Sequence, residues 1–112
     1  MAGDRIMQAF WIGMRRAPDV PLGLTVELRG DTELLITEVL PGGAVEAWNR
    51  LCPPGSGREI NAGDRIISVN GIANADEMVL EIGQKLFLRL LFFRPLRVIC
   101  GPVVPLPQTR LC

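Results

Sequence analysis

The stretch Pro21-Leu22-Gly23-Leu24 constrains this chain more than any other. Pro18 and Pro21 stop whatever precedes it, and the apolar/polar alternation Leu24-Thr25-Val26-Glu27-Leu28 follows directly. A residue without Cβ accepts dihedrals that others refuse, so Gly23 predicts a tight bend feeding a strand. Consecutive N–H groups in such a bend can point into one concavity, which suits an anion. If the strand beyond keeps an open edge, an extended peptide can pair along it with its terminal carboxylate in the bend. No catalytic chemistry is implied.

At 112 residues the chain predicts one domain that buries about 65% of its unfolded surface. Twelve basic and twelve acidic residues cancel and histidine is absent, so no broad attraction to nucleic acid is expected. Apolar residues make up 48% of the chain, with a mean hydropathy of +0.27. The longest apolar run, Leu86 to Phe93, is interrupted by Arg89 and falls well short of the ~20 residues of a membrane helix. No membrane span is expected, and the apolar surplus suggests a surface covered by another protein. Cys52, Cys100 and Cys112 leave one thiol over after any pairing and lack metal-ligand spacing. They predict a reducing intracellular compartment, cytoplasm or organelle interior, with no metal and no cofactor. Residues 1–17 show no small-residue cleavage site, so no secretory signal is read there.

Residues 1–9 read as a lead-in, either mobile or a short amphipathic helix, followed by a strand over Phe10 to Arg15 that Pro18 ends. Arg29-Gly30-Asp31-Thr32 has hairpin-turn residues between the strand Leu24 to Leu28 and a second one, Glu33 to Leu40. Pro41-Gly42-Gly43 breaks that strand, and residues 44–50 make a short helix with Ala44, Val45 and Trp48 on its core face. Pro53-Pro54-Gly55-Ser56-Gly57 marks a surface loop, read as a tolerated insertion. Asn61-Ala62-Gly63-Asp64 is a turn, Arg65 to Val69 a β-branched strand, and Asn70-Gly71 a tight turn. Asn74 reads as the N-cap of a helix of about two turns, with Gly83 as its C-cap. Leu86 to Phe93 is apolar on both faces, which predicts a strand that is central or covered on both sides. Pro95, Pro102, Pro105 and Pro107 make residues 95–112 an extended apolar tail.

Taken with Pro21-Leu22-Gly23-Leu24, the segments Ile36-Thr37-Glu38-Val39-Leu40-Pro41-Gly42-Gly43-Ala44 and Asn61-Ala62-Gly63-Asp64-Arg65-Ile66-Ile67-Ser68-Val69-Asn70-Gly71 resemble a PDZ domain of the animal-type strand order. The resemblance covers about residues 10–94. It implies a mainly β, α+β fold: a partly open barrel of five or six strands capped by two helices. A partner's C-terminal segment would add as a strand between the second strand and the second helix. Carried over by position, the N–H groups of Leu22, Gly23 and Leu24 would receive its carboxylate. Thr25, Val26, Ala75, Val79 and Ile82 would line the groove, with Leu22, Leu24, Val26, Val79 and Ile82 walling the pocket for the last residue. The family's common selector for Ser or Thr near the peptide's end is a histidine on the second helix, and this chain has none. Ala75 in that place favours an apolar peptide residue, but the helix start is ambiguous among Asn74, Ala75 and Asp76. The interval after Asn70 is short for the family, so the second helix is expected to be clipped or its entry loop lost. Arg15 and Arg16 read as solvated surface arginines, with water-mediated help to the carboxylate as the alternative.

The leading reading is thus a non-catalytic protein-protein interaction module of scaffold type. The alternative is an accessory subunit of a larger complex, membrane-associated or not, that keeps the fold and docks through residues 1–9 and 95–112, its groove vacant or filled by its own tail. Gln108-Thr109-Arg110-Leu111-Cys112 would resemble a ligand of the family if it stopped at Leu111; recognition of that end by a second copy is a lesser alternative. An enzyme is not expected, because histidine, a nucleophile beside a base and a phosphate-cradling loop are all missing.

Overall fold

A computed structural model describes residues 7–95 and 110–111. Its elements run β1 (Met7–Arg15), β2 (Leu24–Arg29), β3 (Glu33–Val39), α1 (Ala44–Leu51), β4 (Arg65–Val69), α2 (Ala75–Gln84), β5 (Phe87–Pro95) and β6 (Arg110–Leu111). The strands form one antiparallel sheet in the order β1-β5-β4-β3-β2-β6. Five strands and two helices make the expected α+β architecture; β6 is an additional two-residue strand. The expected tail otherwise lies outside the described residues, as do residues 1–6 of the lead-in.

Side-chain alternation decides how β1 folds. Phe10, Ile12 and Met14 are buried while Trp11, Gly13 and Arg15 are exposed, the period of two that a strand imposes. The strand starts at Met7 rather than Phe10, because β5 runs on to Pro95 and offers register partners to Met7, Gln8 and Ala9. β5 lies between β1 and β4, the central position its composition predicts. Only one of its faces is covered: Leu88, Leu90 and Phe92 join the core, while Phe87 is 62% exposed. On the same strand pair, Trp11 lies under the Arg89 guanidinium, 4.7 Å from the ring centre. The core is completed by Leu24, Val26, Leu34, Ile36 and Ile66 from the sheet and by Val45, Met78 and Ile82 from the helices.

The proline- and glycine-rich loop after α1 is stitched down rather than a bare insertion. Asn49 grips Ile60 at both backbone groups, Nδ2 to the carbonyl at 2.8 Å and Oδ1 from the N–H at 2.7 Å. Trp48 packs against the core, as expected, and its Nε1 donates to the Arg58 carbonyl at 2.9 Å. Arg94 closes the loop from β5. Its Nε and Nη2 donate to the two oxygens of buried Asp64, each at 2.9 Å, and it also donates to the carbonyls of Gly57 and Glu59. Hydrogen bonding to Asp64 raises the Arg94 pKa above its ordinary value, against the opposing effect of burial.

Gly83 does not end α2. It is the penultimate residue of the helix, without a left-handed φ, and the cap falls at Lys85. A Cβ at Gly83 would meet no atom within 4 Å. Gly83→Ala is therefore expected to raise the unfolding free energy by about 0.5–1 kcal/mol, read as a higher urea midpoint at unchanged slope. A lower midpoint would show that the backbone there needs glycine.

Candidate functional site

The bend at Gly23 takes φ +84°, the left-handed region that glycine enters without cost. Its carbonyls all have partners on one side. Ala44 and Val45 donate their N–H groups to Pro21 and Leu22, each at 3.0 Å, and Leu40 donates to Gly23 at 2.9 Å. The first two bonds replace a side-chain cap on α1, whose N-cap is Gly43 with no side chain to offer. In a trans peptide the N–H points opposite to the carbonyl of the same plane. With the carbonyls of Pro21, Leu22 and Gly23 turned towards α1 and β3, the N–H groups of Leu22, Gly23 and Leu24 turn the other way. Among the described residues, those of Leu22 and Gly23 meet no acceptor.

Gly43 makes this bend possible, a role the sequence reading of Pro41-Gly42-Gly43 as a strand breaker did not see. A Cβ on Gly43 would lie 2.6 Å from the Gly23 Cα and 2.8 Å from the Leu22 oxygen. Both are backbone atoms with no room to yield. Gly42, by contrast, serves its own φ of +86° and faces open space. Two adjacent glycines thus answer two different demands.

α2 is held at both ends and from one side. At its start the Asn74 Oδ1 accepts from the Glu77 N–H at 3.1 Å, and the Ala75 N–H donates to the Asp31 carbonyl in the β2–β3 turn at 2.7 Å. This places Ala75 as the first residue of the helix and settles the start that the sequence left ambiguous. From the side, Asn70 donates to Glu81 Oε2 at 2.8 Å and accepts from the Arg89 N–H at 2.7 Å. Asn70 itself takes φ +53°, the conformation that its Asn-Gly turn demands. The helix runs ten residues, nearly three turns at 3.6 residues each, longer than the expected two, which leaves a short entry loop as the remaining reading of the brief interval after Asn70.

The far end of α2 depends on Arg16. Only 8% exposed, its guanidinium donates to the carbonyls of Ile82 at 3.0 Å, Gly83 at 3.3 Å and Lys85 at 2.8 Å, and through Nη1 to Val20 at 3.3 Å. A cation bonded to the last carbonyls opposes the negative end of the helix dipole. The reading of Arg16 as a solvated surface residue is therefore corrected: it continues the buried parity of Phe10, Ile12 and Met14. Arg15 is exposed, as expected.

The structure brings the expected residues to one place. Leu22, Gly23 and Leu24 form the bend, Thr25 and Val26 continue it along β2, and Ala75, Val79 and Ile82 lie on the helix packed beside that strand. Val79 is partly buried at the rim, while the others are buried. A bulge between Thr25 and Val26 sets off this part of β2, and Thr37 Oγ1 donates to the Thr25 carbonyl at 3.0 Å. Thr25 therefore faces β3, and strand alternation turns the N–H and C=O of Val26 to the outer edge. That edge is not open. β6 pairs there antiparallel, Leu111 opposite Thr25 and Arg110 opposite Val26. An open cavity of about 530 Å³ lies instead on the α1 side of the bend, lined by Met14, Val20, Ala47, Trp48 and Leu51.

A glycine bend anchored to one helix, beside a sheet edge walled by another, defines the class as a small antiparallel α+β domain. A family model of the PDZ domain matches residues 12–86, and the chain belongs to that family. A comparison with curated proteins gave no match. PDZ domains are typically non-catalytic binding modules, which makes proteins the partner class. No helix among the described residues is long and apolar enough to cross a membrane.

Proposed function

We propose that the chain is a non-catalytic module that holds an extended segment of a partner protein by strand addition along β2, with the partner's terminal carboxylate at the Gly23 bend. The observation that carries this reading is the fixed orientation of the bend. Three carbonyls tied to α1 and β3 leave the N–H groups of Leu22, Gly23 and Leu24 on the groove side, as donors for a carboxylate. Thr25, Val26, Val79 and Ile82 line the groove, and Ala75 at the helix start favours an apolar peptide residue two places from the end. No metal or cofactor takes part. Main-chain pairing plus one buried side chain sets the intrinsic affinity near the micromolar scale, about 8 kcal/mol.

The test is a peptide library with free C-termini panned against the full chain. Selected peptides are expected to end in an apolar residue, to lose at least tenfold in affinity as C-terminal amides, and to shift the amide resonances of residues 24–28 and 79–82. Equal binding of acid and amide would remove the carboxylate role.

The second reading, an accessory subunit that docks elsewhere, gains support from the strand already on β2 and from the exposed apolar residues Trp11 and Phe87. It places assembly contacts outside the groove. A selected peptide that displaces the chain from its native complex would count against it.

A further inference from the structure

β2 carries a strand from its own chain. Arg110 and Leu111 lie antiparallel to Val26 and Thr25, so the segment runs towards Leu24 and the Gly23 bend. This is the edge and the direction that strand addition by an outside peptide would use. On the domain side of that edge Leu22, Leu24, Val26 and Ile82 belong to the buried core, each at most 1% exposed. We infer that Arg110-Leu111 is an intramolecular ligand of the groove, which a partner must displace before it binds. The inference rests on the reading of the groove as a peptide-binding site and adds its regulation.

Chain length permits the contact within one molecule. The fourteen residues 96–109 join Pro95 to Arg110 and reach about 45–50 Å when extended, against a longest molecular dimension of 46 Å. A tether of that length holds its segment at an effective concentration on the order of millimolar. A segment so concentrated stays bound even when its pairing is short, and it lowers the apparent affinity of any competitor by the fraction of time the groove is free.

The experiment compares the full native chain with full-length Arg110→Pro. Proline removes the N–H of the residue that stands opposite Val26 and leaves every element from β1 to β5 untouched. The probe is a synthetic peptide of residues 103–112, titrated under reducing conditions by calorimetry. Arg110→Pro is expected to bind it roughly ten- to a hundredfold more tightly than the native chain. Amide exchange at Val26 is expected to be slow in the native chain and fast in the variant, with protection elsewhere unchanged. Equal affinity for both proteins would overturn the inference while leaving the groove a binding site. Binding by neither would overturn it together with the peptide-binding reading. A native chain that sediments as a dimer, and becomes a monomer on Arg110→Pro, would also overturn it, since the strand would then come from a second copy.

Discussion

Arg94→Met is expected to lower the unfolding free energy by about 3–5 kcal/mol, the largest loss of any single substitution considered for this chain. The guanidinium is the counter-ion of Asp64, whose side chain is only 3% exposed, and it supplies donors to both carboxylate oxygens. Methionine preserves much of the apolar stem over Phe10, whose ring lies 4.7 Å from the guanidinium carbon. It provides no donor, so among the described residues the buried carboxylate keeps only the Asn61 N–H at 2.9 Å as a donor. An uncompensated buried charge costs more than the ion pair contributes, which is why removing one partner is worse than removing both. Arg94→Met combined with Asp64→Leu is accordingly expected to recover part of the loss, measured by chemical denaturation in a double-mutant cycle. Simple additivity of the two losses would show that the pair is not coupled. The loop from Cys52 to Asn61 is expected to become protease-sensitive first, since two of its carbonyls lose their donor.

Arg16→Met is expected to cost about 1.5–3 kcal/mol and to loosen the groove. Four carbonyls on two segments, Val20 before the bend and Ile82, Gly83 and Lys85 at the end of α2, share this one side chain. Without it the last turn of α2 has neither a left-handed glycine nor a cation to satisfy its carbonyls, and that turn frays. The diagnostic readout is local: the Lys85 N–H, which donates to Glu81 at 3.0 Å, should exchange faster while amides in β3 and β4 keep their protection. Arg16→Lys is expected to recover only part of the loss, because a single ammonium cannot serve carbonyls spread over this distance. Unchanged stability with unchanged exchange at Lys85 would mean that α2 holds its end without Arg16.

Both substitutions act at residues whose importance was only half visible in the sequence. Arg16 sits at the parity of Phe10, Ile12 and Met14, so the alternation already pointed it inward. Its charge argued the other way, and only the nearby end of α2 explains why burial wins. Gly83 illustrates the converse. Glycine near the end of a helical run reads as a C-cap, yet a distant guanidinium takes over the carbonyls and the helix continues. The bend at Gly23 was legible because its φ is a demand made by one residue on itself. Gly43 was not, because its demand comes from the Gly23 backbone twenty residues away.

The sequence by itself determined the order of strands and helices, the Gly23 bend, the Asn70 turn and the Asn74 cap. Each of these depends on the dihedral preferences and periodicity of a few neighbouring residues. Only the tertiary structure decided that Arg16 caps α2, that Arg94 neutralises Asp64, that Gly43 makes room for the bend, and that residues 110–111 lie on β2. Those are pairings between segments far apart in the chain. A buried charge or an unpaired strand edge is costly wherever it occurs, but the group that satisfies it is set by which distant segment the fold brings alongside.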